Sequence, residues 1–355
     1  MEQVEENTAT AVEDEVRPAP TAAAEFDLKA CNESARRLFD RVRTAVRGRD
    51  EVIELVLIAL FADGHILLED FPGSGKTTLA KTLGEAIVDD RAPEVRGQVE
   101  SFRRIQFTPD LLPSDVTGTT VFEPANGSFT FRPGPVFAHV VLADEINRTS
   151  PKVQSAMLEA MAEKQVTVDN TTHRLDDLFF VIATQNPLDL AGTYPLPVAQ
   201  LDRFLFKVRM AHIDRQAELD VLKSMRARKA GLAGQLPPVS RDEIVIARKV
   251  IEENVHVSTL IHEALVDIAN RIREDRRVLQ GVSTRALVLA VPALQTRAML
   301  NGRDYVDAED LKALLPLVFM HRIELGAGAV EGETVIDTAM APALERLARE
   351  QLRHG

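Results

Sequence analysis

The chain has 355 residues, 45% of them hydrophobic and 27% charged, with a net charge of −12 and one cysteine. That is length for two domains, or a large one with a smaller companion, and a globular, soluble composition. An internal disulfide is excluded and no apolar run approaches the ~20 residues of a membrane span, while the acidic start MEQVEENTATAVEDEV lacks the features of a secretory signal, so cytoplasmic residence is expected.

Residues 1–27 hold eight carboxylates against Arg17 alone and hardly any bulky apolar side chain. Such a segment cannot bury enough surface to fold and reads as a disordered acidic tail. Order is expected from about Leu28. A helical pattern over 33–46 aligns Ala35, Phe39, Val42 and Val46, and a second from Asp50 carries Val52, Ile53, Val56, Leu57 and Leu60. Gly64 then releases the chain into the apolar strand Ile66-Leu67-Leu68.

The stretch that follows, Asp70-Phe71-Pro72-Gly73-Ser74-Gly75-Lys76-Thr77-Thr78, is a strand–turn–helix of the phosphate-binding type. Gly73 and Gly75 let backbone N–H groups turn inward around phosphate oxygens. Lys76 can place its ammonium between β- and γ-phosphates, and the Thr77 hydroxyl can ligate Mg²⁺. Asp70 departs from the general pattern, which asks for Gly there.

After a helix over 77–88, a short strand is expected near Phe102–Phe107. Two hairpins then stand out. Thr119–Glu123 and Ser128–Arg132 flank an Asn126-Gly127 turn, and Gln165–Val168 and Thr172–Leu175 flank Asp169-Asn170. The aromatics Phe122, Phe129 and Phe131 are expected to pack the base of the first hairpin. Between the hairpins, Val140–Glu145 is an apolar strand ending in two carboxylates, followed by a helix over Pro151–Glu163. Adjacent residues of an extended strand point to opposite sides, so Asp144 can hold the metal's water shell while Glu145 polarises water.

A further buried strand, Phe179–Thr184, ends in Gln185-Asn186, where parallel sheets bind ligands. Asn186 is therefore a candidate to position water or sense a γ-phosphate, though Asn-Pro alone is equally a plain turn. A last strand is expected over Phe204–Val208. From about Arg215 the pattern is helical only: 215–229, 240–252, 257–274, 283–300, 307–317 and 333–352. This change marks a domain boundary within 212–238. The cluster Arg271, Arg273, Arg276 and Arg277 is interrupted by Glu274 and Asp275 and reads as a solvated face; Cys31 reads as an ordinary thiol.

Taken together these segments resemble the MoxR-type AAA+ ATPases over about residues 35–350. The resemblance rests on the Walker A loop Glu69–Thr77, the Walker B run Leu142-Ala143-Asp144-Glu145-Ile146-Asn147-Arg148, and Phe107–Asp115. Ala183-Thr184-Gln185-Asn186-Pro187, Gly192–Pro197 and Gln200-Leu201-Asp202-Arg203-Phe204 complete it. It implies an α/β fold: an AAA+ P-loop NTPase core, a parallel sheet flanked by helices with two inserted hairpins, followed by an all-helical lid. The expected division is a tail over 1–27, a nucleotide-binding domain over 28–212, a linker or helical insert over 213–238 and a lid over 239–355.

The resemblance also implies roles. Pro72, Gly73, Ser74, Gly75, Lys76, Thr77 and Thr78 would bind ATP, Thr77 and Asp144 would hold Mg²⁺, and Glu145 would activate water. Asn186 would be sensor 1, Arg203 an arginine finger reaching a neighbouring subunit, and Arg285 sensor 2, in cis or in trans; Arg148 is a weaker trans candidate. Before the resemblance, a local ion pair with Asp202 is as good a reading of Arg203. The family implies a ring-shaped homo-oligomer, a hexamer, and a partner bearing a von Willebrand A domain. The DxSxS motif of that domain does not occur here, so it would come in trans. Competing readings are a nucleic-acid motor, disfavoured by the acidic balance, a chelatase-type motor for metal insertion, and, last, a small-molecule kinase.

Overall fold

The structure, a computed structural model, describes residues 26–69, 74–125, 127–187, 192–229, 236–326 and 332–354. The acidic tail up to residue 25, the loop residues Asp70, Phe71, Pro72 and Gly73, and Asn126 lie outside the described residues.

Five parallel strands form the central sheet: β1 (Ile66–Glu69), β2 (Glu100–Gln106), β3 (Ala138–Asp144), β4 (Phe180–Gln185) and β5 (Phe206–Arg209), in the order β5-β1-β4-β3-β2. β3 is buried along its whole length, as the apolar run Val140–Ala143 requires of a strand covered on both faces. Alternation divides the core. Ile66, Leu68, Val140, Leu142, Phe180 and Ile182 share one core with the helices α1 (Leu28–Ala45), α2 (Asp50–Phe61) and α3 (Lys76–Ala86). On the other face Leu67, Val141, Ala143, Val181 and Ala183 pack with Val153, Met157 and Met161 of α4 (Pro151–Glu163).

The helices expected in the second half are present: α5 (Arg215–Lys229), α6 (Arg241–Asn254), α7 (Thr259–Glu274), α8 (Thr284–Leu300), α9 (Ala308–Phe319) and α10 (Gly332–His354). The first apolar core continues into them through Ile244, Ile268, Leu294 and Leu315. Polar stitches cross the same junction. Ser34 donates to Glu243 at 2.9 Å, and Arg248 donates to the Leu60 carbonyl from both Nε (3.0 Å) and Nη2 (2.8 Å). Residues Ile87–Val88 leave the expected helix and pair in parallel with Val239–Ser240. Their partner lies some 150 residues away, beyond any local pattern.

The hairpins are Gly118–Glu123 with Ser128–Pro133 and Gln165–Val168 with Thr171–Arg174. Asp169 (φ 49°) and Asn170 (φ 62°) supply the paired left-handed residues that a tight hairpin turn needs. The two hairpins touch where the Phe131 ring stacks on His173, centroids 3.7 Å apart. The expectation that all three phenylalanines pack the hairpin base fails for two of them. Phe122 is 50% and Phe129 73% exposed, their rings paired at 5.2 Å on the outer face. Adjacent strands bring these rings together across the ladder and leave no second layer above them.

Buried His65 precedes β1. Its Nδ1 accepts from the Val181 N–H at 3.2 Å and its Nε2 lies 3.1 Å from the Met161 carbonyl, so the neutral ring donating from Nε2 satisfies both. Burial pushes its pKa from 6.5 down to about 4. Above pH 6.5 both folded and unfolded states hold the neutral ring and nothing is lost. Below it the unfolded chain takes up the proton first, and the penalty levels off once the folded pKa is passed. Urea unfolding is expected to show a loss of about 2 kcal/mol from this residue between about pH 7 and pH 5. His139 and His321, also held low by burial, act in the same direction. A His65→Gln variant should show a correspondingly shallower acid loss; an identical pH dependence would refute the assignment.

Candidate active site

β1 ends at Glu69, whose carboxylate accepts from Gln185 at 2.6 Å and pairs with Lys207 at 2.8 Å, one neighbour on each flanking strand. β1 therefore ends between β4 and β5. Gly75 adopts φ +97° as the residue before α3, a conformation that favours glycine. Lys76, Thr77 and Thr78 make the first turn, Lys76 half-buried and both threonines exposed. The positive end of an 11-residue helix and its N–H groups thus open at the carboxyl edge of the sheet. The Ser74 hydroxyl is buried without a hydrogen-bond partner among the described residues, as suits a group that meets a ligand.

Asp144 closes β3, on the strand against which α3 packs, and is only 6% exposed. Thr184 of β4 donates its hydroxyl to Asp144 Oδ1 at 2.6 Å, and the Thr184 hydroxyl oxygen accepts the Glu145 N–H at 2.9 Å. Arg104 of β2 holds Asp144 Oδ2 from Nε (3.1 Å) and Nη2 (2.6 Å). Two residues on, on the same face of β2, Gln106 donates to Glu145 Oε2 at 2.7 Å, and Arg148 stands 3.3 Å from that oxygen.

Glu145 departs from the expected extended strand. The strand ends at Asp144, and Glu145 turns left-handed (φ 59°, ψ 48°). The two carboxylates still diverge, but through a strained turn rather than by pleating. That turn is braced from below by buried Gln154, which donates to the carbonyls of Ile146 (3.2 Å) and Tyr194 (2.9 Å). Asn186, half-buried, follows directly on β4, next to Gln185 and its bond to Glu69. The carboxyl edge thus gathers Ser74–Thr78, Asp144, Glu145 and Asn186.

Arg203 and Arg285 lie elsewhere. Arg203 stands in the turn before β5, and two residues later the Leu205 N–H bonds the His65 carbonyl at 2.7 Å, at the amino end of β1. About 13 Å of strand separates that edge from the phosphate loop. The local ion pair with Asp202 is absent. Asp202 instead pairs with Arg322 at 2.7 Å and accepts from Ser283, 3.0 Å from each of its oxygens. Ser283 is the N-cap of α8, so exposed Arg285, two residues on, belongs to the same amino edge. Sequence reasoning missed Arg104, Gln106 and Arg322. The available signals were polar side chains two apart at a carboxyl strand end, and an arginine beside the apolar run before residue 321.

Comparison with known proteins agrees with this architecture. The ATPase family associated with various cellular activities matches residues 65–206, and the AAA lid domain matches residues 270–340. Fold and site together define an AAA+ ATPase core with a helical lid. The chain is 33% identical to Chaperone MoxR1 of Mycobacterium tuberculosis, across 94% of this chain and 87% of that one. It is 41% identical to YeaC, an uncharacterised protein of Bacillus subtilis, across 88% and 95%. The crystal structure of a candidate ATPase from Cytophaga hutchinsonii superposes with a TM-score of 0.78 at 36% identity, covering 90% of this chain and 97% of that one. The chain belongs to the MoxR-type AAA+ ATPase family.

Thr184 holds both Walker B residues through one buried hydroxyl. Thr184→Val keeps the shape and strands the Glu145 N–H and one Asp144 oxygen, with an expected loss of about 1–3 kcal/mol in urea unfolding. An unchanged midpoint would refute the bracing role.

Proposed function

We propose that this chain hydrolyses ATP at a site shared between subunits of a ring, most simply a hexamer, and uses the cycle to remodel a partner protein. The observation that carries this reading is the division of site residues between the two edges of one parallel sheet. The carboxyl edge holds a phosphate cradle and two carboxylates, but Arg203 and Arg285 stand at the amino edge. Arginines so placed are suited to serve the site of a neighbouring copy.

Pro72, Gly73, Ser74, Gly75, Lys76, Thr77 and Thr78 bind the phosphates in this reading. The donor set also suits a hard divalent cation, since the Thr77 hydroxyl and the Asp144 carboxylate are oxygen ligands; Arg104, now paired with Asp144, would have to yield to the cation. Mg²⁺, when bound, supplies charge neutralisation to the β- and γ-phosphates. Glu145 takes the proton of the attacking water, and Asn186 orients that water against the γ-phosphate. Gln106 and Arg148 hold Glu145 in the present arrangement, so the base has to exchange partners before it acts. Arg203 of the next subunit stabilises charge developing on the transferred group, with Arg285 beside it.

The partner proposed is a protein with a von Willebrand A domain supplied in trans, with the assembly in the cytoplasm. The first hairpin supports a polypeptide client over nucleic acid. It exposes Phe122 and Phe129, but its only charged residues are Glu123 and Arg132, too few to track a phosphate backbone.

Specific ATPase activity is expected to rise with protein concentration as rings assemble. Lys76→Ala should lose nucleotide binding, Glu145→Gln should bind ATP without turnover, and Arg203→Ala should bind normally yet turn over about 10³-fold or more slower at every concentration. Activity that stays flat down to dilute monomer would sink the shared-site reading.

A further inference from the structure

Arg322 follows α9 and is 1% exposed. Its guanidinium is directed almost wholly at the turn that carries Arg203. Nε donates to Asp202 Oδ1 at 2.7 Å, Nη2 donates to the carbonyls of Asp202 (3.0 Å) and Phe204 (2.6 Å), and Nη1 donates to the carbonyls of Leu205 (3.3 Å) and Val318. The carbonyls of residues 202, 204 and 205 are therefore pinned on both sides of Arg203. Among the described residues the Arg203 side chain itself has no hydrogen-bond or ion-pair partner; it is the group the clamp presents.

The same carboxylate reaches the lid. Ser283 donates to Asp202 while its oxygen accepts the Ala286 N–H at 3.1 Å, capping α8. One hydroxyl therefore fixes the start of the helix bearing Arg285 against the turn bearing Arg203. Asp202 is also the counter-ion of buried Arg322, so one carboxylate serves turn, lid helix and clamp together.

We propose that Asp202, Arg322 and Ser283 form a positioning lock that holds Arg203 and Arg285 as one unit, so that turn and lid present both arginines together to the neighbouring subunit's site. The inference rests on the shared-site reading above. It assigns these three residues an action through Arg203 and Arg285, with no contact to ATP of their own. A lid movement would then carry Arg203 with it.

Subunit mixing separates the lock from the reading beneath it. An Arg203→Ala acceptor keeps its ATP site but lacks the finger, while a Glu145→Gln donor keeps the finger but cannot turn over. Mixed, they should hydrolyse ATP well above the sum of either alone. Donors carrying Ser283→Gly as well lose the hydroxyl tether, while glycine remains an acceptable helix cap. Such donors should rescue kcat about ten- to a hundredfold less well, because small misplacement of a charge-stabilising group costs rate. The KM of the acceptor's site should stay within about twofold, since its binding residues are untouched.

Arg322→Lys is the second variant: one ammonium cannot replace the guanidinium fork, and its donor should fail in the same way. Full rescue by a Ser283→Gly donor that unfolds at the same urea concentration as its parent would overturn the lock. No rescue by the plain Glu145→Gln donor would overturn the shared-site reading, and the lock with it.

Discussion

All five strands of the central sheet run the same way, so whatever stands at their carboxyl ends is gathered on one edge and whatever precedes them on the other. The rest of the molecule depends on this polarity. The helix after β1 opens its positive end at the carboxyl edge, and the side chains that can answer a phosphate there are those ending β3 and β4. Arg203, entering β5 from the amino edge, is out of reach of that cradle by the length of a strand. In the shared-site reading proposed above, apposing two copies edge to edge brings the two halves together.

Each edge is stiffened by buried polar groups that have found partners. At the carboxyl edge, Thr184 and Arg104 occupy both oxygens of Asp144, so a nine-tenths buried carboxylate is not left unpaired. At the amino edge, His65 bridges α4 and β4 while Arg322 stitches the end of α9 to the turn before β5. Breaking one partner of a buried charged pair is far more costly than the pair itself is stabilising, which makes such stitches good at fixing geometry. Neutral His65 fixes position without a charge to bury, at the expense of acid sensitivity.

The helical lid and the sheet share one continuous apolar core, from Ile53 beneath the sheet to Leu294 and Leu315 in the lid. Polar contacts through Glu243, Arg248 and Ser283 run over the same junction. The lid therefore communicates with the sheet by packing as well as by the Asp202 contact, whereas the second hairpin sends Val166 into the other core and the first leaves Phe122 and Phe129 exposed.

The order of the elements was written in local patterns: the apolar strands, the Pro151–Glu163 helix, the Asp169-Asn170 turn and the glycine-rich loop are features of neighbouring residues, and they sufficed for the fold class. Motifs and strand ends also nominated Lys76, Asp144, Glu145 and Asn186, and the family resemblance added Arg203 and Arg285. The sequence could not say which of these stand together, because strand order and register depend on pairing between segments up to about 150 residues apart. Only the folded chain separates Arg203 and Arg285 from the phosphate loop, turns Glu145 out of its strand, and brings Arg104 and Gln106 onto the two carboxylates. It also gives Asp202 to Arg322, 120 positions away, rather than to its neighbour Arg203. Residues next to each other in a chain meet by covalent geometry, but a buried carboxylate takes whichever cation the packed core delivers.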